Sequence, residues 1–368
     1  MYGFTLALAA TSLFSGSTFA ASKQQYIDYA VKATRVLNDE FRNSDTGLWS
    51  KSWWSSANAL TTLVDLAKLD KGRMEATKQM LAVTFSKAPQ HKIAGGKVGT
   101  WLNAYYDDEG WWALAWINAY DLTGNQDYLR AARNIFQDMQ KNPGTPCGGK
   151  RWAKTGDVRV AMIANSLYLD VAASLANRVP DKKAQYQAEA NKEWDWIVKR
   201  KIINNSGNNT IMDGLNPNTC KPGGYVWTYN VGSMVSASVE MFKLTGNRDF
   251  LKQAVTMSRG MINHNSDKNG ILTEYGYPRK GTMYETGKVE GDFAQFKGVF
   301  ARALKDLQKF APQDEFKKFL HKNADSIWSK SRNSKGLLGA NWQGPVTAIS
   351  MQSQSSAIDC LVAAAAVA

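Results

Sequence analysis

The sequence predicts an all-α chain folded as an (α/α)6 barrel, six helical hairpins in a ring with the long loops on one face. Three observations lead there. Apolar residues recur at helical spacing in twelve stretches, and no convincing series of strands appears. The segment LTGNQDYL (122–129) returns as LTGNRDFL (244–251), identical at six of eight positions. It reads as a helix end, a glycine C′ residue, an asparagine N-cap and a new helix, so one tight hairpin is used twice. Finally, short and long connections alternate without exception. An open α-solenoid shares the periodicity and is the competing layout.

The elements follow in order. The helix at 22–42 leads through a long loop (43–53) to 54–69, and LDK (69–71) turns into 72–87. A long loop (88–107) enters 108–122, and LTGN turns into 126–141. The next long loop (142–157) enters 158–177, and VPDK turns into 182–201. The loop 202–226 enters 227–244, and the second LTGN turns into 248–262. The loop 263–289 enters 290–310, APQ (311–313) turns into 313–330, and 331–349 enters 350–367. Every long loop therefore feeds an even-numbered helix. If those line the ring, their N-termini all point at the loop face, where functional residues gather.

The chain has 368 residues, 44% hydrophobic, enough for one large core. Its net charge is +13, with 45 Lys+Arg against 32 Asp+Glu and a pI near 9.4. The basic residues are spread out, with no basic arm or nucleic-acid motif, so attraction to an acidic matrix fits better than nucleic-acid binding. The stretch 4–20 is apolar and then small, with Thr18 and Ala20 placed for cleavage, and reads as a signal peptide over 1–20 despite lacking a basic start. The rest, 21–368, reads as one catalytic domain with no membrane span. Sequons at Asn204 and Asn208 suit secretion. Cys147 and Cys220 lie in Gly/Pro-rich loops and are expected to pair, leaving Cys360 buried and free. The histidines (His91, His264, His321) are scattered, so no metal or cofactor is expected. A monomer is expected.

The stretch NAYYDDEGWWALAW (103–116) sets three acids against five aromatic residues. Its bland reading is a helix start, where acids meet unpaired N–H groups. Yet Asp107 and Asp108 stand at the start of a ring helix after a long loop. The same rule nominates Trp53, Trp54, Tyr106, Asn165, Tyr229, Asn230, Glu290, Asp292 and Lys297, and the row Asp108, Trp112, Trp116 shares a helix face. Acids, amides and flat rings in a groove suit a carbohydrate. Each also has a structural reading: tryptophans as core, asparagines satisfying backbone, Lys297 as an ordinary ion-paired lysine. Adjacent acids put their carboxyls close, which favours the retaining geometry of about 5–5.5 Å over the inverting one, and their coupling should raise one pKa. The residues alone do not say which acid plays which part.

These segments resemble glycoside hydrolase family 76, the α-1,6-mannanases and their fungal cell-wall relatives. The resemblance runs through SWWSSANALTTLVDLA (52–67), AYYDDEGWWALAWINAYDLTGNQDYL, CGGKRWAK (147–154), MIANSLYL (162–169), YVWTYNVGSM (225–234) and QFKGVFARAL (295–304). It implies an (α/α)6 barrel and retaining cleavage within α-1,6-linked mannose chains, with Asp107 as nucleophile and Asp108 as general acid/base. The substrate it implies is α-mannan polysaccharide or mannoprotein glycan. Around the sixth helix, GDVRVAMIANS (156–166) departs from the family pattern. Some fungal members are lipid-anchored and transfer mannan-bearing glycans to wall glucan, which needs a spacer and an apolar tail. The sequence ends at CLVAAAAVA, read as the last ring helix, so a soluble secreted hydrolase is expected. A transglycosidase using the same acids, a non-catalytic wall-glycan binder, and a lyase or epimerase on the same fold are the alternatives. The last usually leans on His, Tyr or Arg, and this chain is poor in His.

Overall fold

The computed structural model describes residues 21–91, 96–156, 159–204, 207–274 and 291–368. The reading of 1–20 as a signal peptide lies outside them, as does Glu290. Twelve α-helices are present among the described residues: α1 Lys23–Phe41, α2 Trp54–Leu69, α3 Met74–Lys87, α4 Tyr106–Thr123, α5 Gln126–Met139, α6 Met162–Arg178, α7 Lys183–Lys199, α8 Thr228–Thr245, α9 Asp249–Asn265, α10 Phe293–Gln308, α11 Asp314–Lys330 and α12 Met351–Val367.

The even helices pack in a closed ring, α2 on α4, then α6, α8, α10 and α12, with α12 returning to α2. Closure decides for the barrel over the solenoid. The odd helices lie outside, and α1 packs chiefly on α12. Burial explains the two layers. Ring helix α6 is buried at every position from Met162 to Ala176, so it must be surrounded. Outer helix α7 buries only Tyr186, Ala190, Glu193 and Ile197, one stripe at helical spacing. Ring helices also approach closely: a Cβ on Gly298 of α10 would stand 2.6 Å from Ser356 Cα of α12.

The repeated LTGN turns behave alike. Gly124 and Gly246 take the left-handed conformation (φ 73° and 74°) that ends α4 and α8. Asn125 and Asn247 then accept the N–H of Asp127 and Asp249 through their side chains.

Two expectations are corrected. The sixth helix begins at Met162, not 158, because Val160–Ala161 (β1) pairs antiparallel with Gly214–Leu215 (β2), which pairs with Pro222–Gly223 (β3). This small sheet sits in the loop layer, where β-branched Val160 favours extended backbone over helix. The fourth helix begins at Tyr106, which brings both acids inside its first turn. Cys147 and Cys220 form a disulfide joining two long loops, and Cys360 is free and buried.

Candidate active site

Asp107, Asp108 and Glu109 occupy the first turn of α4 at the loop end of the ring. The helix dipole favours their charge, but burial outweighs it for all three. Asp107 and Asp108 keep part of their surface exposed, sunk among packed loops. Asp107 is pushed up to about 6 by burial, restrained by the Trp152 indole and by backbone N–H bonds. That indole donates to Oδ2 at 2.9 Å, while Oδ1 is buried with no side-chain or backbone partner among the described residues. Asp108 is pushed well above the usual carboxyl range by burial and by Asp107 beside it. Only the Asn103 side-chain amide opposes this, donating to Oδ2 at 2.5 Å. Asp107, lowered by more hydrogen bonds, ionises first and the pair's remaining proton belongs on Asp108.

Around them lies an aromatic wall. Trp54 is half-buried, near Trp111 and Phe296, and its indole donates to Asp292 Oδ1 at 2.7 Å. Tyr229 stacks on Phe296 at 3.8 Å. Its hydroxyl is pushed far up by burial and by the charges of Asp213, Asp107, Asp292 and Glu274. Asp292 is exposed at the start of α10 and adds its charge to both members of the pair. Asp213 is held by the Asn230 amide at 3.0 Å and by the Trp227 indole.

The residues nominated from sequence divide. Asp107, Asp108, Trp54, Tyr229 and Asp292 share the mouth, with Asn230 behind Asp213. Six nominated contacts are framework instead, and each has a reason. Trp112 is fully buried, packed on Trp53, Trp101 and Trp116, so the Asp108, Trp112, Trp116 row turns into the core. Trp53 belongs to the same cluster. Trp111, one turn below Asp107, takes the axial place beside Trp54. Tyr106 is buried beneath Lys154. Asn165 is buried and spent on backbone, bonding the N–H and carbonyl of Lys150 and the carbonyl of Ala161. Lys297 is fully buried, its ammonium on the Ala340 carbonyl at 2.7 Å and over the Trp342 ring, and burial lowers it to about 7. Asn103, Trp152, Asp213 and Phe296 were not nominated. Asn103 and Trp152 lay inside segments already singled out, but their residue types gave no signal. Asn208 is exposed, Asn204 partly so, and the Thr210 hydroxyl donates to Asn208 Oδ1 at 2.5 Å.

Among the described residues no group of His, Cys, Asp or Glu could hold a metal ion, and no helix is long and apolar enough to cross a membrane. The chain matches the family model of glycosyl hydrolase family 76 over residues 20–367. It is 24% identical over 257 residues to a mannan endo-1,6-alpha-mannosidase, DCW1, of Candida glabrata, covering 64% of this chain and 55% of that one. The chain thus spans about half the length of the curated relatives it matches. Its fold is similar to that of an α-1,6-mannanase from Salegentibacter sp. (TM-score 0.78, 19% identity, 93% of this chain and 99% of that one). That structure is an inactive variant with two consecutive aspartates replaced, in complex with an α-1,6-mannotetrose. Dfg5 from Chaetomium thermophilum, in complex with glucosamine, is also similar (TM-score 0.75, 16% identity, 96% and 92% covered).

Proposed function

This chain belongs to glycosyl hydrolase family 76, and on that premise we propose that it is a retaining endo-α-1,6-mannanase acting through Asp107 and Asp108. The observation that carries the reading is the adjacent acid pair, both members raised but unequally, at the mouth of the ring. Asp107, the first to ionise, is the nucleophile: its carboxylate attacks the anomeric carbon. Asp108 gives its proton to the departing glycosidic oxygen. In the second half, Asp108 takes a proton from water, which displaces Asp107 and releases the sugar with its configuration kept. Trp54, Phe296 and Tyr229 offer faces for mannose rings, and Asp292 and Asp213 offer acceptors for hydroxyls. The relatives support the substrate: the Candida glabrata protein is a mannan endo-1,6-alpha-mannosidase, and the Salegentibacter enzyme binds an α-1,6-mannotetrose where two consecutive aspartates are replaced. Sizing the oligosaccharides released from linear α-1,6-mannan tests the reading. Wild type yields short mannose oligomers, while Asp107→Asn and Asp108→Asn each lose about 10³-fold or more in rate. Full activity in either variant refutes the assignment.

A second reading, transfer to a glycan acceptor, uses the same acids. The aromatic wall favours it by limiting water beside the glycosyl-enzyme. Chain lengthening at low acceptor concentration would select transfer over hydrolysis. The same proposal includes export after cleavage at Ala20 and glycans on Asn204 and Asn208. A mass loss on glycosidase treatment, abolished by Asn204→Gln with Asn208→Gln, checks the glycans.

A further inference from the structure

Glu109 is not the solvated first-turn acid that its position suggests. Its side chain is wholly buried. Oε1 accepts the backbone N–H of Asn103 at 3.1 Å and the ammonium of Lys154. Lys154 also reaches Asp138 Oδ2 of α5 at 2.6 Å and lies over the Tyr106 ring at 5.5 Å. The two segments so joined form a short ribbon. Lys154 N–H donates to the Ala104 carbonyl at 2.9 Å and Tyr106 N–H to the Trp152 carbonyl at 3.0 Å. One strand of the ribbon carries Asn103 to Asp108, and the other carries Trp152 to Asp107. A single carboxylate on the turn that bears the acid pair therefore grips both strands that deliver the pair's hydrogen-bond donors.

A purely stabilising role explains this poorly. A buried ion pair is often no better for stability than apolar residues of the same volume, because desolvation offsets the attraction. What it adds is one fixed arrangement of its neighbours. We propose that Glu109 and Lys154 are positioning residues for the reaction, a clasp that holds Asn103 on the acid/base and Trp152 on the nucleophile. The inference rests on the proposed roles of Asp107 and Asp108. The groups facing Asp108 are Asp107 and Glu109 on its own helix, Asp292 on α10 and Asn103; those facing Glu109 are Lys154 and Asp138.

The test compares Glu109→Ala, Glu109→Gln, Asn103→Ala and Lys154→Met with wild type, Asp107→Asn and Asp108→Asn. It measures kcat, KM, the pH profile of kcat/KM on linear α-1,6-mannan oligosaccharides, and thermal unfolding. Misplacing a reacting group by about 1 Å costs about 100-fold. Folded Glu109→Ala is therefore expected to lose about 30- to 100-fold in kcat with KM within about twofold. Glu109→Gln keeps an acceptor for the Asn103 N–H and should recover to within about fivefold of wild type. Asn103→Ala removes a bond that lowers Asp108, so the basic limb of kcat/KM should move to higher pH. Glu109→Ala with wild-type kcat and profile, or with only KM raised, overturns the clasp. If Glu109→Ala does not fold, Asn103→Ala and Lys154→Met decide, and an unmoved pH profile with unchanged kcat in both overturns it. Activity in Asp107→Asn or Asp108→Asn would instead remove the underlying reading; inactivity there beside a normal Glu109→Ala removes the clasp alone.

Discussion

The two ends of the barrel axis both gather carboxyls, and they handle the charge in opposite ways. At the turn end, a cavity of about 120 Å³ is lined by Asp65, Asp170, Arg178, Glu240 and Arg302 among others, with Trp111 on its wall. Burial alone would raise Asp65, but Lys305 and Lys68 outweigh it and hold the group well below its usual range. Glu240 is likewise held low by Arg178 at 3.1 Å and Lys243 at 2.6 Å. At the loop end no cation among the described residues rests on Asp107 or Asp108, and both stay raised. Asp170 shows that the partner, not the place, decides. It sits at the turn end without a cation on its oxygens, and burial and Glu240 push it up to about 7. Yet it is only 1% exposed, lining an interior cavity with the Ser174 hydroxyl on its Oδ1. A raised carboxyl becomes a reagent only where a substrate can reach it, and the pair at the mouth meets both conditions.

The comparison can be broken or sharpened at several points. The largest effect falls on the mouth, in the Asp107→Asn and Asp108→Asn losses already given. At the turn end, Lys305→Met should leave the buried Asp65 without its bonded ammonium, with only Lys68 and the Asn118 amide to offset burial, costing about 3 kcal/mol of stability by denaturant unfolding. Its kcat should be unchanged while the protein is folded, so a loss of kcat at full stability would join the two ends functionally. Next comes Trp152→Phe. It removes the indole that lowers Asp107, so the acid limb of kcat/KM, expected near pH 6, should move to higher pH with about a tenfold loss in rate. A stationary limb would show that Asp107 does not set it. The smallest effect is that of Asp170→Asn. Asp170 is raised when folded, so its contribution is complete below the unfolded value near 4 and is lost as pH climbs through about 7. The variant should therefore gain roughly 2–5 °C in Tm over wild type at pH 8 and little at pH 4. An equal gain at both pH values would contradict the assignment.

The fold was legible because periodicity, a repeated turn and loop alternation are all local properties. Among the described residues the twelve helices lie close to where spacing placed them; α4 starts two residues early, and α6 starts four residues late because a strand pairing across more than fifty residues wins. The acids were legible because adjacency is visible in sequence. The orientation of α4 was not. That helix is apolar nearly all round, so its pattern carries no phase, and two stripes compete for the axis. The structure gives the axis to the stripe of Asp107, Trp111, Leu114, Asn118 and Asp121, and gives Trp112 and Trp116 to the core. Asn103, Trp152 and Asp213 escaped because their nearness to the site is made by loops folding over one another. Lys297 and Asn165 sat at the right helical depth but on carbonyls rather than in the cleft.

The most direct test of the account follows the anomeric protons by NMR while the enzyme digests linear α-1,6-mannan. Wild type should release internal fragments whose new reducing ends appear first as the α-anomer, and Asp107→Asn should release essentially none. A first-formed β-anomer, or undiminished release by Asp107→Asn, would contradict an uncompensated pair working as nucleophile and acid.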